Sequence, residues 1–288
     1  MMLTSTWIEK IQSLPVLPQV AMRITERMQS PTATIDEVST LIKSDIGLTS
    51  KILRLANSSY YSIPNGVTDV HKALQYLGFN TVAQLVLTSS VFGSFKTQGI
   101  RDFPLKPFWA HSFAVGLFSE ITARSLQLKN PSDSFVGGLM HDMGKLILLE
   151  TAPELLSKII KSAQEQDSSF ISAELALQQP THVQLGVELA KHWNLPLTIS
   201  LSIQHHHDAV NGDLPIIKTA PKEASVVAWA NLWINTQKIG NSGNCCLYAD
   251  ETEKDFAEKI GISHHQREKI IEHFTNEFEK AGAILSGS

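Results

Sequence analysis

The sequence predicts an all-α protein, and three observations carry that expectation. Apolar residues recur at three- and four-residue spacing, as in Val20, Ile24 and Met28 and again in Ile270, Ile271, Phe274 and Phe278. Capping boxes open two of these stretches, Thr34-Ile35-Asp36-Glu37 and Ser263-x-x-Gln266. Neither an alternating run long enough for a strand nor an internal repeat interrupts the pattern. Over 288 residues, 43% apolar and 18% charged, the composition suits a packed core. We expect two lobes in one continuous unit: an N-terminal helical lobe over 1–103, and a helical core over 104–288 that closes on an amphipathic helix.

Taken in order, Leu14-Pro15-Val16-Leu17-Pro18 is an extended lead-in, because each proline pushes its predecessor out of the helical region. A helix carrying Val20, Ile24 and Met28 follows and stops at Ser30-Pro31. The box at Thr34 starts the next, with Val38, Leu41 and Ile42 on its apolar face, and after Asp45-Ile46-Gly47 another carries Leu48, Ile52, Leu53 and Leu55. Asn57-Ser58-Ser59 and Ile63-Pro64-Asn65-Gly66 read as turns. Thr68 or Asp69 caps a helix ending at Gly78, and Asn80 opens a fifth through Leu85 and Phe92.

Pro104 and Pro107 mark the lobe boundary, and Phe108-Trp109-Ala110-His111 leads a helix with Phe113, Leu117 and Ile121 on one face. A single helix over 134–150 is expected around Gly137-Gly138-Leu139-Met140-His141-Asp142-Met143-Gly144-Lys145, and Pro153 begins another. Helices follow over 181–194, from Pro196 into His205-His206-His207, and over about 223–236.

Composition narrows the function. The net charge of −4, pI about 6.3 and absence of a Lys/Arg cluster leave no footprint for direct nucleic-acid binding. No apolar run approaches the roughly 18 residues that cross a bilayer, and the start lacks signal-peptide character, so we expect a cytoplasmic protein without a membrane partner. The two cysteines, Cys245-Cys246, are adjacent and imply no disulfide framework.

The chemistry lies in the histidines. His111, His141, Asp142, His182 and the run His205 to His207 fall on four separate predicted helices, each near an apolar stripe. Imidazoles and a carboxylate converging from several helices make a divalent-metal site, and neutral histidines with one Asp suit iron, manganese or zinc better than calcium. Gly137-Gly138 and Gly186 leave room for helices to approach there.

The chain resembles the HDOD domains, the signalling-associated relatives of the HD phosphohydrolase superfamily. The resemblance covers nearly the whole chain. In the first half it rests on Leu14-Pro15-Val16-Leu17-Pro18, Asp45-Ile46-Gly47-Leu48, Ile52-Leu53-Arg54-Leu55-Ala56-Asn57-Ser58 and Ala73-Leu74-Gln75-Tyr76-Leu77-Gly78. In the second half His111 takes the first ligand position, His141-Asp142 the namesake pair, Lys145 the lysine one turn on, and His182 the histidine of His-x-x-x-Gly. Of the three consecutive histidines, His206 and His207 match the family's pair and His205 is the extra one.

The resemblance implies a two-lobed helical fold and one or two metal ions held by His111, His141, Asp142, His182, His206 and His207. Asn231 stands where the superfamily usually has an aspartate, in Ala230-Asn231, and is a weaker ligand. The loop from His206 to Pro215 resembles an eroded segment of the HD-GYP cyclic-di-GMP phosphodiesterases but lacks Gly-Tyr-Pro. Two functions follow as expectations. One is a regulatory module that docks signalling proteins or binds a nucleotide or phosphoester ligand. The other is a metal-dependent phosphohydrolase in which Asp142 and Lys145 take part in catalysis; the family's regulatory character and Asn231 favour the first.

Overall fold

The structure, a computed structural model, describes residues 3–14, 32–57, 66–79, 99–211, 221–244 and 250–286, with single positions between 23 and 95. The protein is all-α: the described residues form helices, and the only β pairing among them is one bridge between Ile100 and Phe103. Several expected elements lie outside the described residues: the Pro15–Pro18 lead-in, most of the Val20–Met28 helix, most of the Asn80–Phe92 helix, Cys245-Cys246 and the loop beyond Asn211.

The chain divides into two compact units, Met1–Leu14 with Lys96–Phe274, and Pro15–Phe95 with Thr275–Ser288. The first fourteen residues therefore group with the larger unit, where the sequence reading put them in the N-terminal lobe. The reason is a helix that reading lacked, α1 (Ser5–Gln12), whose Ile11 is buried and whose Lys10 Nζ donates to the Thr151 carbonyl at 3.2 Å.

In the smaller unit α2 (Ile35–Lys43), α3 (Ile46–Ala56) and α4 (Val70–Leu77) pack on one another around Val38, Ile42, Ile52, Val70 and Leu74. Their ends are chemically specified as expected. Thr34 and Glu37 form a complete capping box, Asp69 accepts from the backbone N–H of His71 and Lys72, and Gly78 ends α4 at φ +82°.

In the larger unit α5 (Leu105–Ser125) and α6 (Pro131–Met140) make the most extensive helix pairing among the described residues. A Cβ on Gly138 would lie 2.8 Å from the Gly116 Cα, so the two backbones touch where glycines face each other. After α7 (Met143–Thr151), α8 (Pro153–Glu165) and α9 (Phe170–Ala176) come α10 (His182–His192), α11 (Leu197–His205) and a short turn, α12 (Asp208–Asn211). Helices α13 (Lys222–Thr236), α14 (Asp250–Lys259) and α15 (His264–Ser286) complete the unit, with α15 continuing past its boundary at Phe274.

Phe118 of α5 packs on Trp229 and Trp233 of α13 and Phe274 of α15, with ring centroids 4.6–5.3 Å apart. Buried Glu253 of α14 accepts from Trp229 Nε1 and from Arg267 Nε and Nη2. Side chains of α5, α7, α10 and α13 and of the residues that close α6 and α11 meet in the interior of this unit.

One expected element is corrected here. The single helix over 134–150 is two helices, and the break falls on His141 and Asp142, neither of which is in a helix. No proline or left-handed residue causes it. The chain turns because His141 closes α6 by donating from Nδ1 to the Gly138 carbonyl at 2.6 Å, while Asp142 sits at φ −100°, ψ 12° before α7.

Candidate metal centre

That break aims two consecutive side chains at the same place, which a continuous helix could not do, since neighbours in a helix point about 100° apart. The third participant, His182, is the first residue of α10, held by a Thr181–Gln184 capping box. Helices α7 and α10 meet backbone to backbone: a Cβ on Gly144 would collide with the His182 carbonyl, so only glycine fits beside Lys145. His206 closes α11 and, like His141, donates from Nδ1 to a carbonyl three residues back, Ile203 at 2.7 Å. A carbonyl only accepts, so in both rings the proton is on Nδ1 and Nε2 presents a bare lone pair to the interior.

These atoms form two overlapping groups of metal-competent ligands: Asp142, His182, His206 and His207, and Asp142 with His111 and His141. In the first, His182 Nε2 lies 3.2 Å from His206 Nε2, 2.9 Å from His207 Nε2 and 3.3 Å from Asp142 Oδ1, and His206 Nε2 lies 3.4 Å from the same oxygen. Zinc bonds of about 2.0–2.1 Å set tetrahedral ligand atoms about 3.3–3.4 Å apart, so most of these separations are the edges of such a shell. Asp142 Oδ1 and His141 Nε2 are buried with no hydrogen-bond partner, an arrangement costly without a cation. The donor set fits a divalent metal.

Burial dictates protonation. His111 is pushed down to about 3, first by burial and then by repulsion from His141. His182, His206 and His207 are likewise pushed down by burial, with neighbouring imidazoles adding to it in each and Lys145 adding to it for His182, so these rings are neutral near pH 7. Burial alone would raise Asp142, but the Lys145 ammonium and the imidazoles around it outweigh this and hold its carboxyl well below the usual range.

The remaining candidates separate clearly. Lys145 is fully buried, and its Nζ donates to Asp142 Oδ2 at 2.8 Å and to Ser242 Oγ at 3.3 Å, over the face of Phe170. Asn231 lies at the edge of the second group, its Oδ1 3.2 Å from His111 Nε2 and its Nδ2 donating to the His206 carbonyl at 3.4 Å, while Asn235 Nδ2 donates to Asn231 Oδ1 at 2.9 Å. His205 faces Asp208, 2.7 Å from Nδ1, and is apart from the cluster.

Sequence reasoning missed Glu174 of α9. Its carboxylate is buried, with Oε2 2.8 Å from His182 Nδ1 and Oε1 accepting the His182 backbone N–H at 2.7 Å. Burial pushes its carboxyl up, against the pull of that N–H and of Lys145. A signal existed: Phe170, Ala173, Glu174 and Leu177 fall at i, i+3, i+4 and i+7, so the only charged residue of α9 stands on its apolar face.

Solved structures share this fold. An HDOD domain protein of unknown function from Geobacter sulfurreducens superposes with a TM-score of 0.77 at 24% identity, covering 97% of this chain and 96% of that one. A Shewanella amazonensis protein provisionally named a phosphohydrolase gives 0.74 at 22% identity, over 97% and 98%. A Marinobacter aquaeolei protein provisionally named for signal transduction gives 0.75 at 20% identity, over 96% and 60%. An uncharacterized Treponema pallidum protein is 24% identical over 237 residues, 81% of this chain, which spans 44% of that protein's length. The HDOD domain family matches residues 14–209, from the end of α1 into α12 and across both candidate ligand groups except Asn231, and the chain belongs to that family.

Proposed function

We propose that this chain is a signalling module whose larger unit holds one divalent metal ion at Asp142, His182, His206 and His207, and which docks partner proteins or a nucleotide without turning over substrate. The observation that carries this reading is the closure of the centre. His111, His141, Asp142, Lys145, His182, His206, His207 and Asn231 are all 5% exposed or less, so these ligand candidates are shielded from a phosphoester in solution. Among the described residues the cation that touches the cluster, Lys145, is bound to Asp142.

One ion is preferred over two because Asp142 Oδ2 is taken by Lys145 while Oδ1 is unpartnered and faces the three-histidine group. A bound cation would supply positive charge to Asp142 and a rigid link between the α6–α7 break, α10 and α11. Three imidazoles and one carboxylate suit zinc, and also iron or manganese. Support for a signalling role comes from the Marinobacter relative's name and from the response regulator MmoQ of Methylococcus capsulatus, which shares the fold at a TM-score of 0.50 and 20% identity.

The second reading, a metal-dependent phosphohydrolase with Asp142 and Lys145 in its machinery, is favoured by the gathering of every expected histidine ligand into two groups that share Asp142. The two separate in one experiment. Purified protein is analysed for bound metal and assayed on phosphodiester and phosphomonoester panels with added manganese or iron, beside His206→Ala and Asp142→Ala. We expect close to one ion per chain, lost in His206→Ala, and no turnover above that of Asp142→Ala. Metal-dependent turnover abolished by Asp142→Ala overturns the module reading, and metal at trace level in every protein overturns the metal.

A further inference from the structure

We propose that Glu174 is a positioning residue: its carboxyl group fixes His182 in the tautomer whose Nε2 lone pair faces Asp142. This rests on the reading that the centre holds a metal. Glu174 reaches His182 twice, with Oε2 on the ring nitrogen and Oε1 on the backbone N–H, at 2.8 and 2.7 Å. Two contacts from one planar group fix both where α10 starts and how the imidazole is turned, since the ring is the first side chain of that helix. With Oε2 accepting, the proton of the neutral ring is on Nδ1, and the bare Nε2 is the atom 3.3 Å from Asp142 Oδ1.

Burial points the same way. Glu174 is fully buried, and burying a carboxyl group is costly unless its oxygens find partners. Both oxygens are spent on His182. The competing account is a local one, in which Glu174 merely receives the first free N–H of α10 as a capping group does.

Glu174→Gln and Glu174→Ala distinguish the two. Gln keeps the shape and can accept from only one of the two donors. Affinity for zinc and for manganese is read by chelator competition, and the protonation of His182 by nitrogen-15 spectra of metal-free protein labelled at histidine, the resonances identified by their loss in His182→Gln. In the wild type we expect Nδ1 protonated and Nε2 bare. In Glu174→Ala that preference is lost and affinity falls by about 10- to 100-fold, with Glu174→Gln between. A cap alone lowers the thermal midpoint of both variants and leaves the tautomer and the metal affinity where they were, which overturns the proposal. A wild-type His182 carrying its proton on Nε2 overturns it as well. If the wild type takes up neither ion, the metal reading falls, and the tautomer shift alone decides whether Glu174 orients His182. Glu174→Gln carries the test if the alanine variant does not fold.

Discussion

At the scale of single residues, Asp142 is the group on which the larger unit's interior depends, because it is the only carboxylate common to both ligand groups and is 1% exposed. In the metal-free protein its compensation is Lys145, at 2.8 Å. Removing one partner of a buried pair leaves an unpaired charge, typically at a cost of about 3–5 kcal/mol. Lys145→Met is therefore expected to lower the unfolding free energy by about that amount, measured by denaturant titration, and added zinc or manganese to restore part of it. A loss unchanged by metal would show that the ion and the ammonium do not serve the same carboxylate. Asn231 poses the reverse question. Its Nδ2 holds the His206 carbonyl, so Asn231→Asp sets a carboxylate oxygen against that carbonyl while giving His111 and His141 a charged co-ligand. We expect a second metal equivalent to bind in this variant, read by metal titration, together with a lower thermal midpoint when metal-free. The residue pattern announced His111, His141, Asp142 and His182 because they are rare side chains at recognisable spacing. It did not announce Glu174, whose importance comes from a contact between α9 and α10 that spacing does not encode.

At the scale of elements, the boundaries written in capping chemistry were legible and those imposed by tertiary contacts were not. Thr34-x-x-Glu37, Asp69, Gly78, Pro153 and Ser263-x-x-Gln266 all sit where helices begin or end. The break at His141-Asp142 is poorly marked: Asp142 takes the N-cap position of α7 without a side-chain cap bond, and Met140 and Met143 on either side are ordinary helix formers. The ring-to-carbonyl bond and the pull of neighbouring helices on the two side chains decide it. The start of α10 was legible only in part: Thr181 was placed at its edge, and its box with Gln184 is complete. Losing that cap costs about 1 kcal/mol on average, so Thr181→Ala is expected to destabilise by roughly that much in denaturant titration. It should also weaken metal binding, since the cap fixes the residue that carries the ligand. Gly144 makes a stronger demand. A methyl group there meets the His182 carbonyl itself, with backbone on both sides and nothing flexible to yield. Gly144→Ala should destabilise by about 1–3 kcal/mol, the usual range for forced overpacking, and abolish metal uptake; a variant with wild-type affinity would mean that α7 and α10 need not touch.

At the scale of the whole molecule, the larger unit is a set of helices whose shared interior point is polar, where an ordinary helical core is apolar. Phe118, Trp229, Trp233 and Phe274 provide a conventional core to one side of α5 and α13, whereas His111 and Asn231 place polar groups of the same two helices in the ligand cluster. Such an interior is stable only when its lone pairs are satisfied together, so an ion held by α10, α11 and the α6–α7 break should act on the unfolding of the unit as a whole. Binding to the folded state alone contributes RT ln(1 + [L]/Kd), about 2.7 kcal/mol at a hundredfold excess over Kd. For a unit of this size each kcal/mol moves the midpoint by about 2–4 °C, giving a shift of roughly 5–10 °C. Dialysis against a chelator should lower the thermal midpoint of the wild type by that amount, and returning zinc or manganese should restore it. In His206→Ala the midpoint should be low from the start and indifferent to both treatments. A wild-type midpoint that does not move when bound metal is stripped would mean that the cluster is satisfied without a cation, through Lys145 and the imidazoles alone.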